Sequence, residues 1–522
     1  MQILKVALAE AGALQPPMRS AVLWQASNGL NKLDRARAVI LLKQAFRAAV
    51  ETPDDNSDLK CPFTPDACHS RVWLQSEILE QMASISPDDV ERLLPQAEST
   101  VHTHVTEMLI VTYVHDKKLA HARELLTQVA ELGDFPYDAV LQLMQAEPAG
   151  PERAAVFNIA VRNYGNFGDG EYALIQEEDL ATLVIRFWHD LPAPDVLAAV
   201  DTLLDNAKDR TQDSEENHIS YGTKKGRVTF SFYQYRLFEL LPVLDALDSA
   251  RADSLRREQA QVSSALEKYP KGLQSLNPAL RDTPLTDKEE EERVRNQDYP
   301  AVGLGTSAAE AAQDQAQDQE QLRLAAQQEQ ISDMARTDPK QALEMALSLP
   351  LWQGKPGMFS PRAMALVRVG KLGAKKDPDT ARKAIDEASS VVDQGSPRLA
   401  GNLLLNIVKA YLSLDDKERA EKALDEGMKL AKKMYESDTD ASDPNLALKA
   451  SWPSSALWRS LVVNGAQISA TVAERLIAEI PDEEIRAYQR VSYANSLLGV
   501  NWSFRTIEFR RSMKFSMGSF IP

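Results

Sequence analysis

Cysteine is nearly missing from this chain: Cys61 and Cys68 are the only two in 522 residues. Both lie in one proline-rich loop, Cys61-Pro-Phe-Thr-Pro-Asp-Ala-Cys68. Two readings stay open there. A reduced pair at a helix–helix connection fits an intracellular chain, whereas a disulfide implies an oxidising compartment. Aromatic residues make up only 7%. Positive charge is in deficit, with a formal net charge of −17. That excludes nucleic acid as the expected partner, because phosphate binding needs a dense basic surface. No stretch approaches the roughly 18 consecutive apolar residues of a membrane-spanning helix. The first ten residues, with Lys5 and Glu10 among them, make a poor secretory signal. The expected location is therefore cytoplasmic. An extracytoplasmic one follows if Cys61–Cys68 is bridged and the N-terminus is truncated.

Catalytic signatures are missing too. There is no Gly-x-Ser-x-Gly elbow, no P-loop and no dinucleotide fingerprint. Acidic pairs such as Asp88-Asp89 and Asp415-Asp416 stand at helix starts, where capping explains them. No cofactor, resident metal or catalytic residue is expected.

What is present is helix-forming sequence. Hydrophobic residues are 44% and charged residues 26%, the balance of a folded chain. Ala, Leu, Glu, Gln and Lys dominate, and these favour helices. One pattern recurs at a step of 39 residues: Asp338-Pro-Lys-Gln-Ala342, Asp377-Pro-Asp-Thr-Ala381 and Asp416-Lys-Glu-Arg-Ala420. Each Asp is a helix N-cap, and in two copies proline takes the first helical position, where it has no N–H to waste. Ala346, Ile385 and Leu424 follow at the eighth position, and Leu349, Ala388 and Gly427 at the eleventh. These positions share one helix face with the alanines, so each helix presents a stripe that needs a neighbour. A fixed period of this size marks stacked helical hairpins.

The same spacing appears at Asp34, Ala38, Leu42 and Ala45, within a hairpin spanning residues 18–50. It appears again at Ser86-Pro-Asp-Asp-Val90, with Leu94 and Ala97. A further hairpin covers 101–132. There Tyr113 is followed nine residues later by Ala122, then by Leu126 and Val129; Tyr411, Ala420, Leu424 and Gly427 repeat those intervals. With Leu109 and Ile407 in the leucine position, this pattern resembles the tetratricopeptide repeat. The family's Trp is replaced by Thr106 and Leu404, its Gly by Ile110 and Val408, and its closing Pro by Asp134 and Lys432. The resemblance covers about a fifth of the chain. It implies a superhelix of helical hairpins and a protein- or peptide-binding role, and it carries over no catalytic residue.

The expected fold is all-α: stacked, α-solenoid-like helical hairpins in two blocks, 1–280 and 331–500. Between them, residues 281–330 contain 12 acidic and 5 basic residues, the composition of an acidic linker, partly disordered. Helices are expected over 151–165 and 178–208. The aromatic stretch Arg227–Leu241 alternates at Val228, Phe230 and Phe232 as a strand does. It also has helical spacing, and for want of a visible partner strand it is read as a helix. Glu436–Asn445 reads as a polar insertion. The tail, 501–522, turns aromatic and basic without helical spacing. It reads as an unstructured, non-native end or as a segment for a membrane surface or a partner.

The expected function is a scaffold that binds a protein or peptide without catalysis. A second reading, an α/α enzyme or metal-binding protein, draws on two stretches. One is His102–His121, with His104, Glu107 and His115, flanked by Cys68 and His69. The other is the loop Asn163–Gly170, with Asn163, Asn166 and Asp169. His102 and His104 are two residues apart and point different ways on a helix, so the metal pattern is incomplete.

Overall fold

The computed structural model describes residues 2–53, 70–130, 135–164, 171–213, 218–223, 226–276, 303–304, 323–324, 326–351, 360–392, 396–441 and 448–500. The fold is all-α apart from one small sheet. Helices pack against their neighbours throughout, in a manner compatible with a helical repeat. Among the described residues no helix is long and apolar enough to cross a membrane.

The chain divides into two compact units, and the division differs from the blocks 1–280 and 331–500 expected from composition. Described residues up to 86 fold together with those from 323 to 500, and the residues from 87 to 304 form the second unit.

In the first unit the 39-residue pattern becomes a run of hairpins. Asp338, Asp377 and Asp416 each accept a hydrogen bond from the backbone N–H three residues on, at 3.1, 3.1 and 3.2 Å. The helices Pro339–Ser348, Pro378–Ser389 and Lys417–Ala441 follow. Ala342, Ala381 and Ala420 are completely buried, as are Ala346, Ile385 and Leu424 one turn later. Small residues on this face let helices approach closely. A Cβ on Gly370 would stand 2.3 Å from Ile385, and one on Gly427 2.5 Å from Leu461.

The helices between follow a regular order. Pro361–Gly373 packs on Pro397–Ser413, which packs on Pro453–Ile468, which packs on Glu483–Leu497. Glu483–Leu497 then packs on Gln2–Ala11 and Pro16–Asn31 from the other end of the chain. Pro16–Asn31 in turn carries Arg35–Glu51 and Ser70–Ala83. Polar ties fix this junction. The Asn495 side-chain amide donates to the Gln25 carbonyl at 2.8 Å, and Lys32 Nζ donates to the Gly499 carbonyl at 2.9 Å. That places a cation at the negative end of the last helix.

The two tyrosine hairpins share details that the side-chain pattern alone does not specify. Lys117 and Asp415, each four residues after its tyrosine, adopt left-handed φ values of 63° and 56°. In each case the next N–H returns to the tyrosine carbonyl, from Lys118 at 2.8 Å and from Asp416 at 3.0 Å. This is the helix-ending turn in which the six-residue bond satisfies an orphan carbonyl. Each tyrosine hydroxyl also donates to a carboxylate on the preceding helix: Tyr411 to Asp386 at 2.7 Å, and Tyr113 to Asp88 at 3.2 Å and to Glu91.

The second unit holds the departures from expectation. Arg227–Leu241 is not helical throughout. His218–Thr223 (β1) pairs antiparallel with Gly226–Ser231 (β2), and Gly303–Leu304 (β3) adds to the other edge of β1. The partners are a segment just before the aromatic stretch and a piece of the presumed linker. Alternation wins where Ile219, Val228 and Phe230 are buried and Phe230 meets Phe238 at 5.3 Å between ring centres. Ser231 then ends the strand and starts the helix Phe232–Leu247. Its hydroxyl accepts from Gln234 N–H, and the Gln234 side chain accepts from Ser231 N–H.

The helical stretch expected over 178–208 is formed by two helices, Glu171–Phe187 and Ala193–Asp213, separated at Pro192. Two smaller expectations give way. The ladder from Ser86 stops early: Val90 is buried, but Pro95 ends the helix and leaves Leu94 and Ala97 half-exposed. The insertion after Tyr435 begins as helix, because Lys417–Ala441 runs on through it. There Asp438 is buried and accepts from Ser454 N–H at 3.0 Å. The cysteine loop, Asn166–Gly170 and the tail 501–522 lie outside the described residues.

Candidate functional site

Three polar assemblies stand out, and the sequence pointed to only one of them. The first is around His121. Its Nε2 lies 2.8 Å from Glu91 and its Nδ1 3.2 Å from Glu124, while the ring meets Tyr113 edge-on at 4.7 Å between centres. Glu91 also accepts from the Tyr113 hydroxyl. The hydrogen bond to Glu91, helped by Glu124 and opposed by partial burial, holds the His121 imidazole above its ordinary pKa. Burial first, then the bonds to Glu91 and Asp88, push the Tyr113 hydroxyl far up.

The other expected residues do not join His121. His102 leans on the Ala97 carbonyl at 3.2 Å. His115 is 89% exposed beside Asp116. His104 and Glu107 are half-buried on the helix Ser99–His115. Among the described residues no three His, Cys, Asp or Glu side chains are placed to hold a metal ion. Cys68 and His69 lie outside the described residues. Asn163 is buried and donates to Ile159 O at 2.9 Å, within its own helix. Its loop partners Asn166 and Asp169 are not described.

The second assembly is buried in the second unit. Arg236, on Phe232–Leu247, reaches Glu177 at 3.2 Å and Glu178 at 3.0 Å on Glu171–Phe187, and also Glu239 one turn along its own helix. The side chains of Arg236, Glu177 and Glu239 are 2%, 2% and 1% exposed, while Glu178 keeps an edge in water. One guanidinium faces three carboxylates. Burial, only partly offset by Arg236, pushes the Glu239 carboxyl up to about 8.

The third assembly is a half-open cleft of about 570 Å³ in the first unit, where the first and last helices meet. It is lined by Glu10, Ala13, Leu14 and Gln15 on one side and by Lys449, Asp482, Glu483, Glu484, Arg486 and Arg490 on the other. Asp482 caps the helix Glu483–Leu497, accepting from Glu484 N–H at 2.9 Å and Ile485 N–H at 3.0 Å. Lys449 bridges Asp482 and Glu484, at 2.8 Å each. Burial raises the Asp482 carboxyl, but Lys449 and the helix N–H groups outweigh it and hold the group below the usual carboxylate range. Gln15 N–H donates to Glu484 at 3.0 Å, and Arg490 pairs with Glu10. The sequence signal for this site is slight. Arg486 and Arg490 are one turn apart on one helix face, but Glu10 lies 480 residues away.

Comparison with protein-family models and with curated proteins gives no match.

Proposed function

We propose that this chain is a helical-repeat scaffold, similar to tetratricopeptide proteins, that binds a protein or peptide partner and performs no catalysis of its own. The observation that supports it most is the shared build of the hairpins at Tyr113–Ala122 and Tyr411–Ala420. They have the same left-handed turn, the same return bond and the same hydroxyl-to-carboxylate tie. Such agreement, in stretches whose sequences otherwise differ, is what a repeated unit produces. Arrays of repeated hairpins offer extended faces to partners. The test is cross-linking mass spectrometry on the protein purified with whatever accompanies it from its native host. Cross-links concentrated on Pro361–Gly373, Pro397–Ser413 and Pro453–Ile468 are the expected result. A protein recovered alone, or one that turns over a hydrolase substrate, overturns the reading. The His121 network favours an enzymatic alternative, which requires His121→Gln to abolish a measured turnover.

A further inference from the structure

Charge in the first unit is sorted by helix. Pro361–Gly373, Pro397–Ser413 and Pro453–Ile468 pack in sequence as one layer. They carry Arg362, Arg368, Lys371, Arg398, Lys409 and Arg459 and not a single carboxylate. In a chain of net charge −17 that is a local excess of the minority sign. The helices that alternate with them, Pro378–Ser389, Lys417–Ala441 and Ala470–Ala478, carry both signs. Cations there are taken up by nearby carboxylates: Arg382 by Asp379, Lys422 by Glu418, Lys429 by Glu426, and Arg475 by Asp425 and Glu421. In the layer, Arg362 donates to the Leu349 carbonyl at 2.8 Å and Arg459 is half-buried. Arg368, Lys371, Arg398 and Lys409 are exposed, and among the described residues none of the four forms an ion pair. Helix stability does not account for them. Arg398 stands in the first turn of its helix, at the positive end, where a carboxylate is the stabilising choice; none of the three helices has an acidic first turn. The exposed residues also form stripes. Met364, Arg368 and Lys371 share one helix face, as do Arg398, Asn402, Leu405 and Lys409, and half-buried Met364 and Leu405 put aliphatic surface beside the charges.

We infer that this layer is the docking surface for an acidic, extended segment of a partner protein, with carboxylates on Arg368, Lys371, Arg398 and Lys409 and aliphatic side chains on Met364 and Leu405. Packed helices lie roughly 8–10 Å apart, about three residues of extended chain, so carboxylates at that spacing meet successive helices. Nucleic acid fits worse. No aromatic side chain is exposed on the three helices for a base to stack on, and the chain as a whole repels phosphate. This partner chemistry rests on the scaffold reading and makes it specific.

The test is fluorescence anisotropy of the full chain, at low salt, with a labelled Glu-Leu-Ser repeat peptide of about 12 residues, long enough to cross the layer. The peptide is expected to bind, and its Gln-Leu-Ser counterpart about tenfold more weakly or worse. Reversing two cations of the layer, Arg368→Glu with Lys409→Glu, should weaken the acidic peptide about tenfold, roughly threefold for each exposed charge. The same change of charge on the alternate helices, Lys383→Glu with Lys433→Glu, should leave its affinity unchanged. All four side chains are exposed, so both double variants should keep the parent's circular dichroism melt, and the comparison of the two peptides needs no variant at all. No binding, equal binding of the two peptides, equal loss in the two double variants, or oligothymidine bound as tightly overturns the inference. Native partners that cross-link to these helices yet ignore the Arg368 and Lys409 reversal would sink this chemistry and leave the scaffold reading standing.

Discussion

Arg236 shows what a residue can hide. In the sequence Glu177, Glu178, Arg236 and Glu239 look like ordinary helix charges, and nothing local announces that they converge. The helices that carry them are joined only by the fold, 59 residues apart at Glu177 and Arg236. Two predictions belong here. Arg236→Met should cost about 3–5 kcal/mol in urea unfolding, because it strands buried carboxylates without their cation. Glu239→Gln should act the opposite way at neutral pH and above. The folded Glu239 holds its proton up to about 8, whereas the unfolded chain releases it near 4.3. Its contribution to stability is thus complete below about 4.3 and is lost as pH climbs toward 8. The glutamine variant removes that decline, and urea midpoints at pH 5, 7 and 9 should diverge from the parent progressively; parallel lines would refute it. The capping aspartates were legible because a cap is a three-residue event: Asp338, Asp377 and Asp416 needed no tertiary information. The cleft residues Glu10 and Arg486 needed all of it.

At the scale of elements, periodicity told helix from loop well and failed where two signals competed. Arg227–Leu241 carries both a strand alternation and a helical stripe, and the arbiter is Ser231, whose capping box divides them. The partner strand, His218–Thr223, lies only two residues away, yet its sequence does not stand out as a strand. Turn geometry was equally out of sight, since Asp415 carries no mark that it must turn left-handed. Asp415→Gly should therefore stabilise the hairpin by about 0.5–1 kcal/mol, because glycine meets no Cβ penalty there. Thermal unfolding would check it, and a lower midpoint would count against the turn. Gly370 makes the converse point. Gly370→Ala should destabilise by about 1–3 kcal/mol, since its Cβ falls on Ile385 inside a packed face. Trimming Ile385 to Ala, which removes the Cγ1 that this Cβ strikes, should make the two losses less than additive in the double variant.

For the molecule as a whole, the sequence reading found helices and missed how they are shared out. Composition suggested a break around 281–330, yet the helices up to residue 86 belong with those beyond 323. Composition reports which segments fold poorly and says nothing of which folded segments meet. A chain lacking residues 2–31 should lose hydrogen-exchange protection in Glu483–Leu497, whose Asn495 and Arg490 are tied to Gln25 and Glu10. Unchanged protection would mean that the last helix does not depend on the first. The arrangement also has a consequence during synthesis. The ribosome makes one wall of this unit some 400 residues before its counterpart. At typical elongation speeds of 5–20 residues per second, the early helices wait roughly 20–80 s for the surface that covers them. Through that interval Pro16–Asn31 has Arg35–Glu51 and Ser70–Ala83 against it, with Trp24 on Trp73, while the face that Glu483–Leu497 later covers stays open to water and to any chaperone that shelters greasy segments.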